Sequence, residues 1–370
     1  MKEALLLTPG PTNVPKRVLD KTALPMIHHR TKEFQAVLER VNANLGKVFA
    51  TKHPVLYFAS SGTGAMEASI TNLLSKGDTV ISVSAGKWGE RYRDIAKAYG
   101  LNVKSYEIEY GKAVSVDEVR AALKANPEAK AMLVTLCETS TAVVHPIKEI
   151  AALTRNSGTL LFVDAISGLA CDTLLMDEWG VDVVVCGSQK GLMLPPGLSF
   201  VALNDRAQSA IASSALPKYY FNFADTLKAM KKNDTPFTPA VSLIRGLDEA
   251  LLMLVEESME KVWARHAEVA YYVREKVKSL GLELFCKAPS NALTSIVLPS
   301  DIPSKNLINH MRDQHSVVMA DGQGELQGKI IRFAHMGYAC TMKDAKTGYE
   351  AFCDALAKSG YKRAQEAVNA

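Results

Sequence analysis

The chain has 370 residues and a mass of 40.2 kDa, more than one hydrophobic core usually holds, so two unequal domains are expected. Its 48% hydrophobic and 22% charged residues lie near the averages for globular proteins and exclude disordered, collagen-like and fibrous classes. The net charge of +4 is spread without a basic run, which argues against a nucleic-acid surface and leaves an anionic small ligand open.

The N-terminal sequence MKEALLLTPGPT contains only a short apolar run. It is too short for a signal peptide or a bilayer-spanning helix, so a cytoplasmic protein without membrane contact is expected. The six cysteines stand far apart without a C-x-x-C pair, which predicts reduced, buried thiols and no metal site. Metal-ligand spacing is also missing at four histidines: His28, His29, His145 and His335.

Short apolar runs rich in β-branched residues alternate with amphipathic stretches from residue 79 onward. The predicted strands are 79–83, 130–136, 160–163, 181–185 and 198–203. Apolar runs without strict alternation are typical of strands buried on both faces. The pattern therefore predicts an α/β domain with a mostly parallel sheet covered by helices.

A different pattern follows in the last third of the chain. Apolar residues at spacings of three and four predict a long connecting helical region over 241–280. Beyond it, strand candidates at 282–285, 294–298 and 329–333 alternate with helical stretches near 304–314 and 345–358. This arrangement predicts a second, smaller α+β domain.

Two predicted strands each end in an ionisable residue: LLFVD in Asp164, and VVVCGSQK in Lys190. Ligands of open α/β sheets bind beyond the carboxyl ends of the strands, so these residues can flank one ligand. A half-buried lysine is a candidate Schiff-base former, and a carboxylate can keep a pyridinium nitrogen protonated, as pyridoxal phosphate requires. The alternative is an N-capping aspartate and a surface lysine.

A small-residue turn, SSGTG, runs into a predicted helix. Ser61, Gly62 and Thr63 would present backbone amides and hydroxyls at that helix N-terminus, where a phosphate is favoured. The turn lacks the G-K-[ST] of a P-loop, which disfavours nucleoside triphosphates. The alternative is a plain helix cap.

Three further residues carry chemistry. Trp88, flanked by glycines after a strand, can stack on a heteroaromatic ring, or it is a core residue. Thr139, in CETST, offers a hydroxyl at the same rim, or belongs to a helix cap. Arg332 stands inside an apolar strand-like run, which suits a bidentate grip on a substrate carboxylate, unless it faces solvent.

Together these segments resemble the class V, fold-type I pyridoxal-phosphate aminotransferases, in the branch of the alanine:glyoxylate and serine:pyruvate enzymes. The resemblance runs from residue 5 to residue 337 in the family's order and rests on LLLTPGPTNVP, SSGTGAMEA, GKWGER, CETSTAVVHP, LLFVDAISGLA, VVVCGSQKGLMLPPGLSF and KIIRFAHMG. It implies a seven-stranded, mostly parallel sheet in a large cofactor domain (17–260), a small C-terminal domain (261–370) and an N-terminal arm (1–16) lining the cleft.

The resemblance also implies a role for each candidate residue. Lys190 would form the Schiff base and move the substrate proton, Asp164 would pair with the ring nitrogen, and Trp88 would stack on the ring. The remaining implied contacts are Ser61, Gly62, Thr63 and Gln189 at the phosphate, Thr139 near the ring hydroxyl, and Gly10 and Arg332 at the substrate. Gly10 would permit close backbone approach.

Function and assembly follow from the same resemblance. The implied reaction moves an amino group from alanine or serine to glyoxylate or pyruvate, and a single arginine favours such small substrates. Family members are homodimers, and residues 235–239 resemble the segment that a partner contributes, through Thr235 or Thr238.

Departures from the family and alternative functions remain. Thr63 stands where some members carry histidine, and Gln189 stands where cysteine desulfurases carry histidine, which disfavours desulfuration. The alternatives are an aminotransferase for 2-aminoethylphosphonate or ureidoglycine, and a non-catalytic α/β binding or complex subunit.

Overall fold

The computed structural model describes residues 3–363, which contain thirteen α-helices and fourteen strands. The helices are α1 (Lys16–Thr22), α2 (Lys32–Val48), α3 (Gly62–Leu73), α4 (Lys87–Ala98), α5 (Val116–Ala125), α6 (Ile147–Thr154), α7 (Met176–Trp179), α8 (Asp205–Ala210), α9 (Phe223–Met230), α10 (Val241–Glu257), α11 (Met259–Ser279), α12 (Ser304–His315) and α13 (Met342–Lys358). The strands are β1 (Leu5–Leu6), β2 (Val55–Ala59), β3 (Thr79–Ser84), β4 (Asn102–Glu107), β5 (Ala131–Thr135), β6 (Cys137–Glu138), β7 (Val143–Val144), β8 (Leu160–Asp164), β9 (Val183–Gly187), β10 (Leu198–Leu203), β11 (Leu293–Val297), β12 (Val317–Val318), β13 (Ala320–Asp321) and β14 (Ile330–Ala334).

A seven-stranded sheet in the order β2-β10-β9-β8-β5-β3-β4 forms the centre of the larger part of the molecule. The pairs from β9 to β4 are parallel, which confirms the predicted α/β class. Only β10 runs against its neighbours β9 and β2. The reason is length, because the connection 188–197 is shorter than the dozen or more residues that a parallel crossover needs.

Except at its edge strand β4, the sheet is buried on both faces, which explains its continuous apolar runs. Along β5, Met132 and Val134 pack into the core that contains α2 and α10, whereas Ala131 and Leu133 pack into the core beneath α3 and α4. The period of two along a strand sends successive side chains to opposite faces, so both sets must be apolar.

The predicted connecting helical region consists of two helices. Ser258 separates α10 from α11 with a φ of 71°. In α11, Met259 and Val262 pack into the core of the large sheet, whereas Val269 and Val273 pack into the core of the small sheet. A single helix therefore joins the two cores.

The smaller α+β unit is built on the antiparallel sheet β11-β14-β13, and its core takes in side chains of α11, α12 and α13. The prediction of a strand at 282–285 is wrong in extent, because this stretch makes one bridge, from Leu284 to Ile296. Two backbone hydrogen bonds flank it, from Phe285 to Ser295 and from Val297 to Glu283, so the pairing ends after one residue pair.

The N-terminal segment crosses from the small unit to the large sheet. β1 pairs in parallel with β12, Leu5 opposite Val317, before the chain turns toward the carboxyl ends of the central strands. Across residues 3–363, none of the helices is both long enough and apolar enough to cross a membrane. All six cysteines are buried and free.

Candidate active site

The carboxyl ends of β8 and β9 bring Asp164 and Lys190 together. Asp164 is the last residue of β8, and Lys190 follows β9 by three residues. Both side chains are buried, with 4% and 5% exposure, and each alters the pKa of the other through its charge. The alternative of a surface lysine is therefore wrong, and so is the alternative of an N-capping aspartate, because the next helix begins only at Met176.

Lys190 lies in a turn that holds its amine against a hydroxyl. Its Nζ donates a 2.9 Å hydrogen bond to Ser167 Oγ and lies 5.4 Å from the centroid of the Trp88 ring. Burial is the main cause that lowers the pKa of Lys190, and the nearby Arg332 charge adds to it. A lowered pKa leaves more of the amine uncharged and nucleophilic at neutral pH.

The pKa of Asp164 is shifted in the opposite direction to that of Lys190. Burial raises the pKa of Asp164 to about 7, although an N–H bond from Ile166 to Oδ1 at 2.8 Å and the charges of Lys190 and Arg91 oppose that rise. The nearby positive charges therefore do not fully compensate the cost of burying a charged Asp164 carboxylate. The carboxylate is ready to pair with a cation brought by a ligand.

A buried carboxylate that the sequence analysis did not single out fixes the N-terminus of α4. Glu138 accepts hydrogen bonds from the backbone amides of Trp88 at 3.0 Å and Gly89 at 3.1 Å, and from the amide and hydroxyl of Ser140. The CETST segment does cap a helix, as the alternative interpretation held. The capped helix is α4, which lies about 50 residues earlier in the sequence. A glutamate directly after an apolar strand was the available signal.

Trp88 is half-buried, with an arginine on its ring. The guanidinium of Arg91 lies 4.3 Å from the ring centroid, a cation–π contact, and its Nη1 donates to Thr63 Oγ1 at 3.1 Å. Arg91 thereby ties the indole to the first turn of α3. Arg91 could not be predicted from the sequence, because its hydrogen bond joins positions 28 residues apart.

The N-terminus of α3 opens toward the same place. Ser61 is its N-cap residue, yet its side chain makes no capping bond, and Gly64 N–H donates to the Ser61 carbonyl instead. A Cβ on Gly62 would lie 2.5 Å from Ile166 Cδ1, so the helix packs directly on the loop after Asp164. Among residues 3–363 the exposed Ser61 hydroxyl has no hydrogen-bond partner.

Three buried polar atoms around this site lack a partner within the described part of the chain: Thr139 Oγ1, Gln189 Oε1 and Trp88 Nε1. Buried polar groups normally carry a hydrogen bond, and leaving one unpaired costs about 1–3 kcal/mol. Unpaired groups clustered at one edge of a sheet indicate a polar ligand.

Arg332 approaches from the small sheet. It lies on β14 with 6% exposure, so a solvated strand face is wrong for it. Its Nε donates to the Asp321 carbonyl at 2.8 Å and its Nη1 to the Thr139 carbonyl at 3.2 Å. Burial lowers the pKa of Arg332 to about 10, still well above neutral, so the guanidinium stays charged. Nη2 has no partner among residues 3–363.

The N-terminal arm closes over the lysine. Gly10 has a φ of 102°, and a Cβ placed on it would lie 2.6 Å from Lys190 Cε. Thr12, missed in the sequence analysis, donates its N–H to the Gln189 carbonyl at 3.2 Å and its hydroxyl to the Lys190 carbonyl at 3.3 Å. The arm therefore fixes the backbone of the lysine turn.

Thr235 and Thr238 do not join these residues. They line another pocket, together with Tyr57 and Phe237, and its lining does not include Lys190. Thr235 Oγ1 donates to the Phe237 carbonyl at 2.8 Å, whereas Thr238 is exposed.

Known proteins share both the sequence and the fold. Residues 4–324 match the family described as Aminotransferase class-V. A protein of Anabaena cylindrica named soluble hydrogenase 42 kDa subunit is 38% identical over 339 residues, covering 90% of this chain and 88% of its own. An L-aspartate–glyoxylate aminotransferase of Paracoccus denitrificans is 35% identical, covering 90% and 86%.

The solved structure of an alanine–glyoxylate aminotransferase from Nostoc sp. superposes with a TM-score of 0.92 at 29% identity, covering 96% of each chain. The sheet order and the elements that position Lys190 thus belong to a known fold, the fold-type I aminotransferase architecture. By sequence match and by fold, the chain belongs to the class V aminotransferase family.

Proposed function

We propose that the protein is a pyridoxal-phosphate-dependent transaminase that moves an amino group from alanine or serine to glyoxylate or pyruvate, with Lys190 as the Schiff-base residue. The observation that carries the proposal is the buried Lys190 amine beside the under-compensated Asp164 carboxylate, with Arg332 within electrostatic range. These are a nucleophile, an anion and a carboxylate-binding cation in one cleft.

The residues present fit pyridoxal phosphate. The three unpaired atoms, Thr139 Oγ1, Gln189 Oε1 and Trp88 Nε1, together with the open N-terminus of α3, support a ligand that carries both polar ring substituents and a phosphate. The cofactor, when bound, supplies an electron sink for the substrate's bonding electrons. The proposed binding residues are Ser61, Gly62, Thr63, Trp88, Thr139, Asp164, Gln189 and Lys190.

Each protein group then has a defined task. Asp164 holds a proton on the ring nitrogen by presenting a buried negative charge. The uncharged Lys190 Nζ takes the proton from the substrate α-carbon, and Ser167 Oγ orients that amine. The flat indole ring of Trp88 borders the site, and the cation–π contact with Arg91 holds that ring in place.

Arg332 is proposed to bind the substrate α-carboxylate. Its two backbone bonds fix the guanidinium plane and leave Nη2 for the ligand. Small substrates are favoured because the neighbouring cations are engaged, Arg91 by Thr63 and Lys87 by Glu90. Neither of these two α4 cations is therefore free to bind the second carboxylate of a dicarboxylate.

A panel of donors and acceptors tests the substrate proposal. Alanine, serine and aspartate are each paired with glyoxylate, pyruvate and 2-oxoglutarate, and kcat/KM is measured for wild type and Arg332→Ala. We expect alanine or serine with glyoxylate or pyruvate to give the highest values, and the variant to lose at least about 100-fold with every carboxylate substrate. A preference for aspartate would overturn the choice of donor, and an unchanged Arg332→Ala would move the carboxylate site elsewhere.

A non-catalytic role as a subunit of a larger complex is the other function considered, and the name of the Anabaena relative describes a subunit. The two functions make opposite predictions for the purified chain alone. Transamination by that chain without a second polypeptide supports the enzyme. Inactivity with every donor and with bound cofactor would favour the subunit.

A cytoplasmic homodimer with shared clefts is part of the proposal, with an arm at residues 1–16, a large domain at 17–260 and a small domain at 261–370. The exposed side chains of Tyr219 and Tyr220, each stacked on the exposed Phe237 ring, support a contact surface there. Because the Thr235 hydroxyl is already bonded, Thr238 is the better residue to reach a partner's phosphate. Light scattering gives the oligomeric state, and Thr238→Val should weaken cofactor retention more than Thr235→Val.

A further inference from the structure

We infer that His310, His315 and Asp354 form a binding site for one divalent transition-metal ion, with Zn²⁺ as the best-fitting ion. The two histidines lie on α12 and the aspartate on α13, which packs against it. The site is built on the smaller α+β unit, on elements other than those that carry Lys190. It has no part in the proposed transamination chemistry.

The geometry brings three metal-binding atoms to one point. His310 Nε2 lies 2.6 Å from Asp354 Oδ2, and His315 Nε2 lies 2.8 Å from the same oxygen. The ligand atoms of the three residues all fall within 4.8 Å of one another. Ligands around a tetrahedral Zn²⁺ stand about 3.3 Å apart, given bonds of about 2.0–2.1 Å, so each contact must widen by about 0.5–0.7 Å.

The side chains have room for this movement. Their exposed fractions are 25% for His310, 33% for His315 and 29% for Asp354, so none is locked in a packed core. The same exposure leaves a path for the ion and a place for a water molecule as fourth ligand. Two imidazoles, one carboxylate and one water form a donor set that suits Zn²⁺.

The metal-free arrangement is also one that a metal can replace. For both bonds to form, each imidazole must carry its proton on Nε2 and direct it to one carboxylate oxygen. Both contacts converge on the same carboxylate oxygen of Asp354, so the ligand atoms already face a common point. On metal binding, the ring proton of each imidazole moves from Nε2 to Nδ1 by exchange with solvent, and the two freed Nε2 atoms bind the ion together with the Asp354 oxygen.

Metal binding would hold the end of α12 in place, next to the strand β12 with which the N-terminal arm pairs. His315 is the last residue of α12 and is followed by Ser316, with a φ of 56°, and then by β12. β12 pairs with β1, the strand that leads to Gly10. An ion held between α12 and α13 would therefore raise the thermal stability of the folded chain.

The test uses tag-free, cofactor-loaded protein that has been treated with a chelator and dialysed. Zn²⁺ binding is measured by isothermal titration, and Co²⁺ is added separately to record the visible d–d absorbance of the bound ion. The variants are His315→Gln and Asp354→Asn. The control is His28→Gln/His29→Gln, which removes the close histidine pair of the large unit, with ring centroids 4.8 Å apart.

We expect one Zn²⁺ per chain in wild type and in the control, a higher Tm with Zn²⁺, and a Co²⁺ spectrum of a four-coordinate site. His315→Gln and Asp354→Asn should each weaken Zn²⁺ binding by more than about tenfold and remove that spectrum. Binding that is absent in wild type, or equal in wild type and both variants, would overturn the inference. The three residues would then serve only to join α12 to α13 through two hydrogen bonds.

Discussion

Asp164 shows how burial at the end of a strand gives one carboxyl group its function. The side chain is 4% exposed and accepts one backbone N–H, and burial raises its pKa to about 7. In water the same group titrates near 3.9. The folded protein without cofactor therefore holds the Asp164 proton more tightly than the unfolded chain does.

This difference in pKa predicts a pH dependence of stability in the cofactor-free protein. The contribution of Asp164 is fully present below about pH 4 and is lost as pH rises to about 7, because the charged carboxylate is disfavoured in the fold. Relative to Asp164→Asn, wild type should lose up to about 3 kcal/mol of unfolding free energy between pH 5 and pH 8. Urea unfolding of both proteins at the two pH values measures this difference. Parallel pH profiles would contradict the assigned pKa.

Helix α4 shows how one element positions a side chain that another element fixes. The Glu138 carboxylate receives the amides of Trp88 and Gly89, so the first turn of α4 is anchored to the end of β6. The helix dipole adds to this attraction, because a negative charge at the N-terminus is favourable. Glu138 acts on the proposed site through Trp88 and is a positioning residue.

Replacing Glu138 by Gln should loosen this anchor without changing side-chain size. We expect the dissociation constant of pyridoxal phosphate to rise about 10–100-fold, since bonds to a charged acceptor contribute about 1.5–3 kcal/mol. Quenching of Trp88 fluorescence by the cofactor should fall in parallel, a signal that a merely structural role would not move. Glu90→Gln, on the same helix but paired with Lys87 and Tyr110, serves as control and should retain wild-type affinity.

The N-terminal arm makes a second prediction at the scale of elements. Ala at Gly10 would combine a positive φ with a Cβ 2.6 Å from Lys190 Cε, whereas Gly77 has a similar φ of 87° and open space around it. Gly10→Ala should lower kcat/KM by at least about tenfold, because the lysine must shift. Gly77→Ala should cost about 1 kcal/mol of stability and keep kcat/KM. Equal kcat/KM values in the two variants would argue against close contact between arm and lysine.

At the scale of the whole molecule, the parts of the site that follow from local pattern were predictable. Asp164 and Lys190 end apolar strands, and the carboxyl edge of a parallel sheet brings such residues together. The contacts of Ser167, Glu138 and Thr12 were not predictable, because each joins positions 23 to 178 residues apart. Small polar residues at such positions have many local explanations.

The fold, like the site, has features that the sequence pattern predicted and features that it did not. The apolar runs predicted five of the seven strands of the central sheet, since burial on both faces is visible in the sequence, but they did not predict β2 or the largely exposed β4. The reversed direction of β10 depends on the length of one connection, and the break between α10 and α11 depends on the backbone angle of Ser258. Neither changes the apolar period, so the pattern predicted a long helical region without locating its break, and a mostly parallel sheet without identifying the reversed strand.

The central claim is that Lys190 carries the cofactor through a transamination cycle. The most direct test is the absorbance spectrum of wild type and Lys190→Ala after incubation with pyridoxal phosphate and dialysis, repeated after alanine or serine and then after glyoxylate. We predict a visible band in wild type that bleaches with the donor and returns with the acceptor, and that is absent from Lys190→Ala. A wild-type protein that stays colourless, or a variant that cycles as wild type does, would contradict the claim.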